Sequence, residues 1–283
     1  MESTSSSKAT LTGLLANAAS EDLTSVGREA KVNRVAGTQV LTCKLRLARR
    51  HQHFQQKFGK DQFNFIPETF SLVEEREEVV VAMTRGAAPG TRREGEPEEQ
   101  GEVWVVKPVG LSRGRGIFLT NSPLALPSRD AMGRGMLVQR YLANPYLINE
   151  RKFDLRVYVL ITGVSPLKVY VYKDGFARFA TEDYGGGADI GNTCAHITNQ
   201  SLHEHKVVGY FGDRQDVFSG FKWSLRSLGV YLRRRGVDWA AVWARVEEVC
   251  LKTVLLAQGD MQQAAGHLRS PQQWSPGHRP PVP

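Results

Sequence analysis

The stretch Val103–Ile117, VWVVKPVGLSRGRGI, decides the reading of this chain. A short apolar strand delivers Lys107 into a loop broken by Pro108 and by Gly110, Gly114 and Gly116. The loop also carries Arg113 and Arg115. Such a composition suits phosphate: glycines let the backbone approach and turn its N–H groups inward, while cations neutralise the ligand. It is not a Walker A loop, because Lys107 precedes the glycines and no Gly-Lys-Ser/Thr follows.

A second cluster downstream gives the first its weight. Gln139-Arg140-Tyr141 ends a strand, Asn144-Pro145 turns the chain, and RKFDLR (151–156) opens the next strand. Strand side chains alternate, so Lys152, Asp154 and Arg156 share one face and Phe153, Leu155 and Val157 the other. Cation, carboxylate and cation in one row suit a polyphosphate with its metal, and equally describe a solvated, salt-bridged face. Together with Lys107 and its loop, the row favours phosphate. Further along, Arg178 lies in ARFAT, and AHITNQS (195–201) supplies His196, Thr198, Asn199 and Ser201. Thr198 and Asn199 read as ligand-holding groups or as caps for a helix near Leu202. For His196, a structural role in a turn is the favoured reading.

Working outward, residues 1–36 are Ser-, Thr- and Ala-rich and read as a flexible tail. Val40–Phe58 reads as a basic amphipathic helix closed by the turn Gly59-Lys60-Asp61. FNFIPETFSL (63–72) reads as a short strand interrupted at Pro67. The Gly/Pro-rich, charged segment 86–101 reads as a solvated internal loop. Strands follow at 102–107, 116–120, 136–142 and 153–162, then KVYVYK and FARFAT, which bracket Asp174-Gly175 as a predicted hairpin turn. From Phe221 the spacing becomes helical through residue 256, with Trp223, Trp239 and Trp243 on core faces. The stretch from Gln258 loses periodicity, so 259–283 is expected to be a disordered tail.

Composition bounds the function. The 283 residues are 41% hydrophobic, enough for a substantial core. A net charge of +8 points to anionic partners. Cys43, Cys194 and Cys250 show no metal-ligand or disulfide spacing, which fits a reducing compartment. No apolar run reaches the roughly 20 residues of a membrane span, and no secretion signal is evident. A soluble cytoplasmic protein is expected. Nucleic-acid binding is disfavoured, because the cations sit among acids in strand-and-loop motifs and no aromatic stacking motif accompanies them.

KPVGLSRGRGI, VQRYLANPYLINERKFDLRVYVLIT, KDGFARFAT and CAHITNQS, in this order, resemble the tubulin tyrosine ligase-like family, within it the polyglutamylase branch. The resemblance covers roughly Phe58–Leu255. It implies an α/β (α+β) ATP-grasp fold, two lobes around a nucleotide cleft, over residues 37–258. It also implies an ATP- and Mg²⁺-dependent ligase joining free glutamate to glutamate side chains in acidic tubulin tails. By the same likeness Lys107 binds ATP phosphate, Arg113 with Gly114 lines the boundary between nucleotide and protein substrate, and Arg115 and Gly116 join the nucleotide-binding set. Gln139, Arg140, Tyr141 and Leu142 form the adenine-side strand, while Lys152, Phe153, Asp154, Thr198 and Asn199 continue the ATP site. The catalytic set is Lys152, Asp154 and Arg156. Arg178, Gln200, Ser201 and Lys222 contact glutamate, although most relatives have Tyr where this chain has Gln200.

Such chemistry needs a carboxylate activated as an acyl phosphate, so positioned cations matter more than a protein nucleophile. The family pattern continues into strands bearing an acidic residue and a Glu-x-Asn triplet that ligate magnesium. This sequence shows neither, so no metal ligand is assigned and the C-terminal part of the fold is expected to be incomplete. The expectations are therefore a polyglutamylase-type ligase, with turnover open; a non-catalytic module for acidic tubulin tails or microtubules; and, more weakly, a glycine-adding relative. A monomer on the cytoskeleton is expected, with cilium and basal body as candidate sites and no nucleic-acid or membrane partner.

Overall fold

The computed structural model describes residues 35–85, 102–128, 135–199 and 220–269. The chain begins with the short helix α1 (Gln39–Thr42) and the basic helix α2 (Lys44–Phe58). α2 ends at Gly59, whose φ of 95° is left-handed and whose N–H bonds Gln55 O at 3.0 Å. Glycine there satisfies a terminal carbonyl without Cβ strain. β1 is limited to Thr69–Ser71, shorter than the 63–72 segment predicted. Phe63 and Phe65, upstream of it, instead form an aromatic cluster with Phe54 and Phe58 of α2.

α3 (Arg76–Thr84), β2 (Trp104–Pro108), β3 (Phe118–Thr120) and β4 (Met136–Arg140) complete the first lobe. Its sheet is antiparallel throughout, ordered β1-β4-β2-β3. β2 reads as an unbroken apolar run because both its faces are covered. Trp104 and Val106 pack with Leu72, Val138 and the α3 residues Val79, Ala82 and Met83. Val105 turns the other way, with Val103, Leu119, Tyr141 and Ile190. Each such large side chain contributes about 1.5–3 kcal/mol of burial.

The second sheet is β5 (Phe153–Val164), β6 (Leu167–Phe179) and β7 (Lys222–Ser224), antiparallel in that order. The predicted hairpin turn at Asp174-Gly175 is corrected here. β6 runs straight through those residues, and the chain reverses at Ser165-Pro166, between the Val164↔Leu167 pair. Gly175 pairs with Val157, and a Cβ on it would meet Arg156 O at 2.2 Å. Close backbone approach, rather than a turn, is what requires glycine there. Asp174 Oδ1 accepts from the N–H of Gly175 at 2.8 Å and from that of Arg226 at 3.2 Å.

The start of the helical region is also corrected: Lys222–Ser224 extend the sheet, and α5 spans Leu225–Arg234. Ser224 caps α5 by accepting from Ser227 N–H at 3.0 Å. One face of the proximal β5/β6 ladder holds Phe153, Leu155, Val157, Ala177 and Phe179, packed against Trp223, Leu225 and Leu228. The short helix α4 (Thr193–His196) lies between β6 and β7 in sequence.

α6 (Trp239–Arg269) passes the predicted end at residue 256, so the expected loss of structure from Gln258 is corrected as far as Arg269. Met261 and Ala257 are fully buried against Val40 and Val254, with Ile161, Val164 and Val169 alongside. Arg50 donates twice to Asp260, at 2.9 and 2.7 Å, which fastens α2 to α6. Residues 1–34, the loop 86–101 and residues 270–283 lie outside the described residues.

Candidate functional site

The chemistry-bearing side chains gather where the two sheets meet. From the first sheet comes Lys107, whose Nζ donates to Gln139 Oε1 at 2.6 Å. Gln139 Nε2 donates in turn to Thr69 Oγ1 at 2.7 Å, and Thr69 Oγ1 donates to Pro67 O at 2.7 Å. Lys107 is thus held by a neutral amide and keeps its full positive charge for a ligand. Burial lowers its pKa, and the neighbouring charge of Lys44 lowers it further.

From the connection between the lobes come Tyr141 and Lys152. Lys152 Nζ donates to Tyr141 Oη and to His196 O, both at 2.8 Å, and lies 4.4 Å from the Tyr141 ring centroid. Burial pulls the Lys152 pKa down to about 8; Asp154 works against this and the charge of Lys107 adds to it. Two ammonium groups that feel one another while partly withdrawn from water are costly alone. An anion between them offsets both penalties.

The second sheet supplies the polar row. Asp154 stands opposite Arg178, and Arg178 opposite Lys222, in adjacent strands. Arg178 grips Asp154 through Nε and Nη2, each at 2.7 Å, and Thr198 Oγ1 donates to Asp154 Oδ2 at 2.6 Å. Lys222 Nζ lies 3.8 Å from the Phe176 ring centroid. The favoured structural reading of His196 gains a definite geometry: Nε2 contacts Asp189 O at 2.8 Å, and Nδ1 contacts Tyr141 Oη at 3.1 Å.

The structure therefore brings Lys107, Gln139, Tyr141, Lys152, Asp154, Arg178 and Thr198 into one connected region. Other candidates stand differently. Phe153 turns into the core beside Phe179, which leaves only its backbone for a ligand. Arg140 is exposed and paired with Glu102, and Leu142 is exposed beyond the end of β4. Arg156 is exposed and stands opposite Phe176. In the glycine loop, Arg113, Gly114 and Gly116 all have positive φ, at 60°, 80° and 69°. Gly114 is buried, while Arg113 and Arg115 are exposed. Asn199 is half-buried, and Gln200 and Ser201 lie outside the described residues.

Sequence reasoning missed Lys44, whose Nζ donates to Pro108 O at 3.1 Å and Leu111 O at 2.5 Å and so ties the loop down. No local signal marks it, because its partners are more than sixty positions away in the chain. Among the described residues no group of three His, Cys, Asp or Glu could hold a metal ion. Asp154, whose charge acts on Lys152, already accepts from Arg178 and Thr198 on its two oxygens. The region thus fits a phosphate-rich ligand, whereas its described carboxylates do not build a magnesium cage.

Two antiparallel sheets with lysines gathered between them, flanked by helices, define an α+β protein. A family model described as the tubulin-tyrosine ligase family matches residues 24–274, and the chain belongs to that family, whose fold is ATP-grasp-like. The match extends beyond both ends of the 37–258 domain expected from sequence. The chain is 34% identical over 235 residues to the human tubulin monoglutamylase TTLL4, covering 83% of this chain and 18% of that protein. It is 35% identical over 238 residues to the human tubulin polyglutamylase TTLL5, covering 83% and 17%. With the mouse tubulin polyglutamylase TTLL6 the figures are 33% over 229 residues, 80% and 25%. The chain therefore spans about a fifth of the length of the first of these relatives. No helix among the described residues is long and apolar enough to cross a membrane.

Proposed function

We propose that this chain is an ATP-dependent ligase of the tubulin polyglutamylase type, adding glutamate to glutamate side chains in acidic tubulin tails. The observation that carries the reading is the pair of desolvated cations, Lys107 and Lys152, held by neutral partners at the seam between two sheets. ATP, when bound, supplies the phosphoryl group that activates the acceptor carboxylate. Lys107 and Lys152 bind and neutralise its phosphates, each through an N–H not spent on its protein partners. The loop around Arg113–Gly116 covers the phosphates, with Lys44 bracing it from behind. Thr198 and Arg178 hold Asp154 in place, and the Arg178 and Lys222 row offers cations to a free amino acid's carboxylate. The basic surplus of the chain steers an acidic tail towards this face. Magnesium enters as the counter-ion of the phosphates, and no step is assigned to protein ligands for it.

Relatives named as tubulin monoglutamylase and tubulin polyglutamylase support glutamate as the donor. The test is incubation with ATP, Mg²⁺, labelled glutamate and microtubules. Incorporation that disappears in Lys107→Ala is the expected result, and absence of incorporation by the unaltered chain removes the catalytic reading.

A second reading is favoured by one contact. Arg178, the expected holder of glutamate's carboxylate, is already gripped by Asp154. A non-catalytic module for acidic tails needs no free amino acid and keeps that pair closed. Salt-sensitive co-sedimentation with microtubules, unchanged by ATP, is its signature; protection of the fold by ATP against heat points back to the ligase.

A further inference from the structure

The network behind Lys152 runs from Asp189 O through His196 to Tyr141, which also has the Tyr184 hydroxyl beside it. Asp189 O is a backbone carbonyl and only accepts, so the His196 Nε2 that contacts it at 2.8 Å carries the proton. Burial lowers the His196 pKa, which keeps the ring neutral and leaves Nδ1 with a lone pair. Nδ1 therefore accepts from the Tyr141 hydroxyl at 3.1 Å. With its proton committed, Tyr141 Oη turns its lone pairs to Lys152 Nζ at 2.8 Å. The carbonyl of His196 takes a second Lys152 proton, also at 2.8 Å. Of the three donors on the ammonium, two are thereby fixed by one histidine and the tyrosine it orients.

The ring of His196 is itself immobilised. It meets Tyr141 edge-on at 5.7 Å and Tyr184 at 5.0 Å between centroids, and Tyr184 Oη donates to Ala143 O at 2.7 Å. His196 is buried, on the four-residue helix α4, and contributes to the cleft through this chain of contacts.

We propose that His196 is a positioning residue: by accepting from Tyr141 it orients the tyrosine hydroxyl that, with His196 O, aims the Lys152 ammonium into the cleft. The inference rests on the reading of that cleft as a nucleotide site, but its effect on Lys152 exists before any ligand arrives. A donated proton also makes the tyrosine oxygen a better acceptor, because hydrogen bonds in series polarise one another.

The experiment uses the full chain without ligand. An amine-reactive acylating probe is applied, and modification of the Lys152 peptide is followed by mass spectrometry. Tyr141→Phe removes the acceptor and is expected to raise labelling about fivefold, since a freed, less stabilised ammonium yields more reactive amine. His196→Gln keeps a donor for Asp189 O but offers Tyr141 no matched acceptor, and is expected to raise labelling about threefold. His196→Asn places its amide oxygen near the position of Nδ1 and is expected to label as the unaltered chain does. The double variant Tyr141→Phe/His196→Gln should label no faster than Tyr141→Phe alone.

Equal labelling of all variants overturns the proposal, as does an equal rise in His196→Asn and His196→Gln, which signifies only loosened packing. Should His196→Gln fail to fold, unchanged labelling of Tyr141→Phe still overturns the proposal, and His196→Ala takes the place of His196→Gln. MgATP titration of the same variants separates the two readings. The labelling pattern without nucleotide uptake leaves the positioning role standing and removes the nucleotide site. Uptake weakened about fivefold in Tyr141→Phe and unchanged in His196→Asn supports both.

Discussion

One cation from each sheet, Lys107 and Arg178, is held in an opposite way. In the first, Lys107 is tied to an amide, Gln139, and its charge is left uncompensated. In the second, Arg178 is clamped by the carboxylate of Asp154, so that positive charge is already answered within the fold. Neutral ties leave a cation ready for an anion from outside, whereas ionic ties spend it on structure. On the proposed ligase reading, phosphate is met by Lys107 and Lys152, and the Asp154–Arg178 pair holds the sheet's polar face together.

The contrast is broken most completely by disrupting the second sheet itself. Gly175→Val drives a branched side chain into the backbone of β5 and is expected to destabilise by at least ~3 kcal/mol, read by urea denaturation. Next comes Arg178→Ala, which leaves Asp154 with a half-buried, unpaired charge and is expected to lose about 1–3 kcal/mol. Adding Asp154→Asn should recover much of that loss, because the structural role lies in the pair.

Lys107→Ala sharpens the comparison from the other side. It removes a desolvated cation tied only to an amide, so thermal stability should barely move. Affinity for ATP, read by calorimetry, should fall about tenfold, equivalent to about 1.4 kcal/mol. A loss of stability in Lys107→Ala as large as that in Arg178→Ala would erase the distinction.

A further effect is one of pH. The folded pKa of Lys152 is about 8, below its ordinary 10.5, so between these values the unfolded chain binds more protons than the folded one. Stability without ligand should rise as pH climbs from 8 towards 10.5 and stay flat with respect to this group below 8. ATP affinity should change in the opposite sense, weakening above pH 8 as the ammonium is lost. Denaturation and titration across that range check both signs.

How far the sequence reveals this arrangement depends on the range of the forces involved. β2, α2 and the alternation of Lys152-Phe153-Asp154-Leu155 were legible because local periodicity and burial agree there. Asp174-Gly175 misled, since the same dipeptide serves a tight turn and a close approach between strands. What selects the second here is the backbone of Arg156, which no local pattern announces. The helical stretch beyond residue 256 was hidden for a similar reason. Its Gln-rich sequence is stabilised by Asp260 reaching Arg50 and by Met261 buried against Val40, contacts that span most of the chain. At the site, Lys107 and Lys152 could be named from composition. Gln139, Tyr141 and His196 were named as well, but not as partners of these lysines, because that pairing joins separate strands and a short helix.

The chain of donors from Lys107 through Gln139 to Thr69 carries one chemical vulnerability. Deamidation of Gln139 would replace the amide that cradles the ammonium with a carboxylate. Shape would be nearly preserved, yet the electrostatic invitation to phosphate would be cancelled from within. The same change takes away the N–H that Gln139 donates to Thr69, so charge and hydrogen bonding at this point of the sheet would alter together.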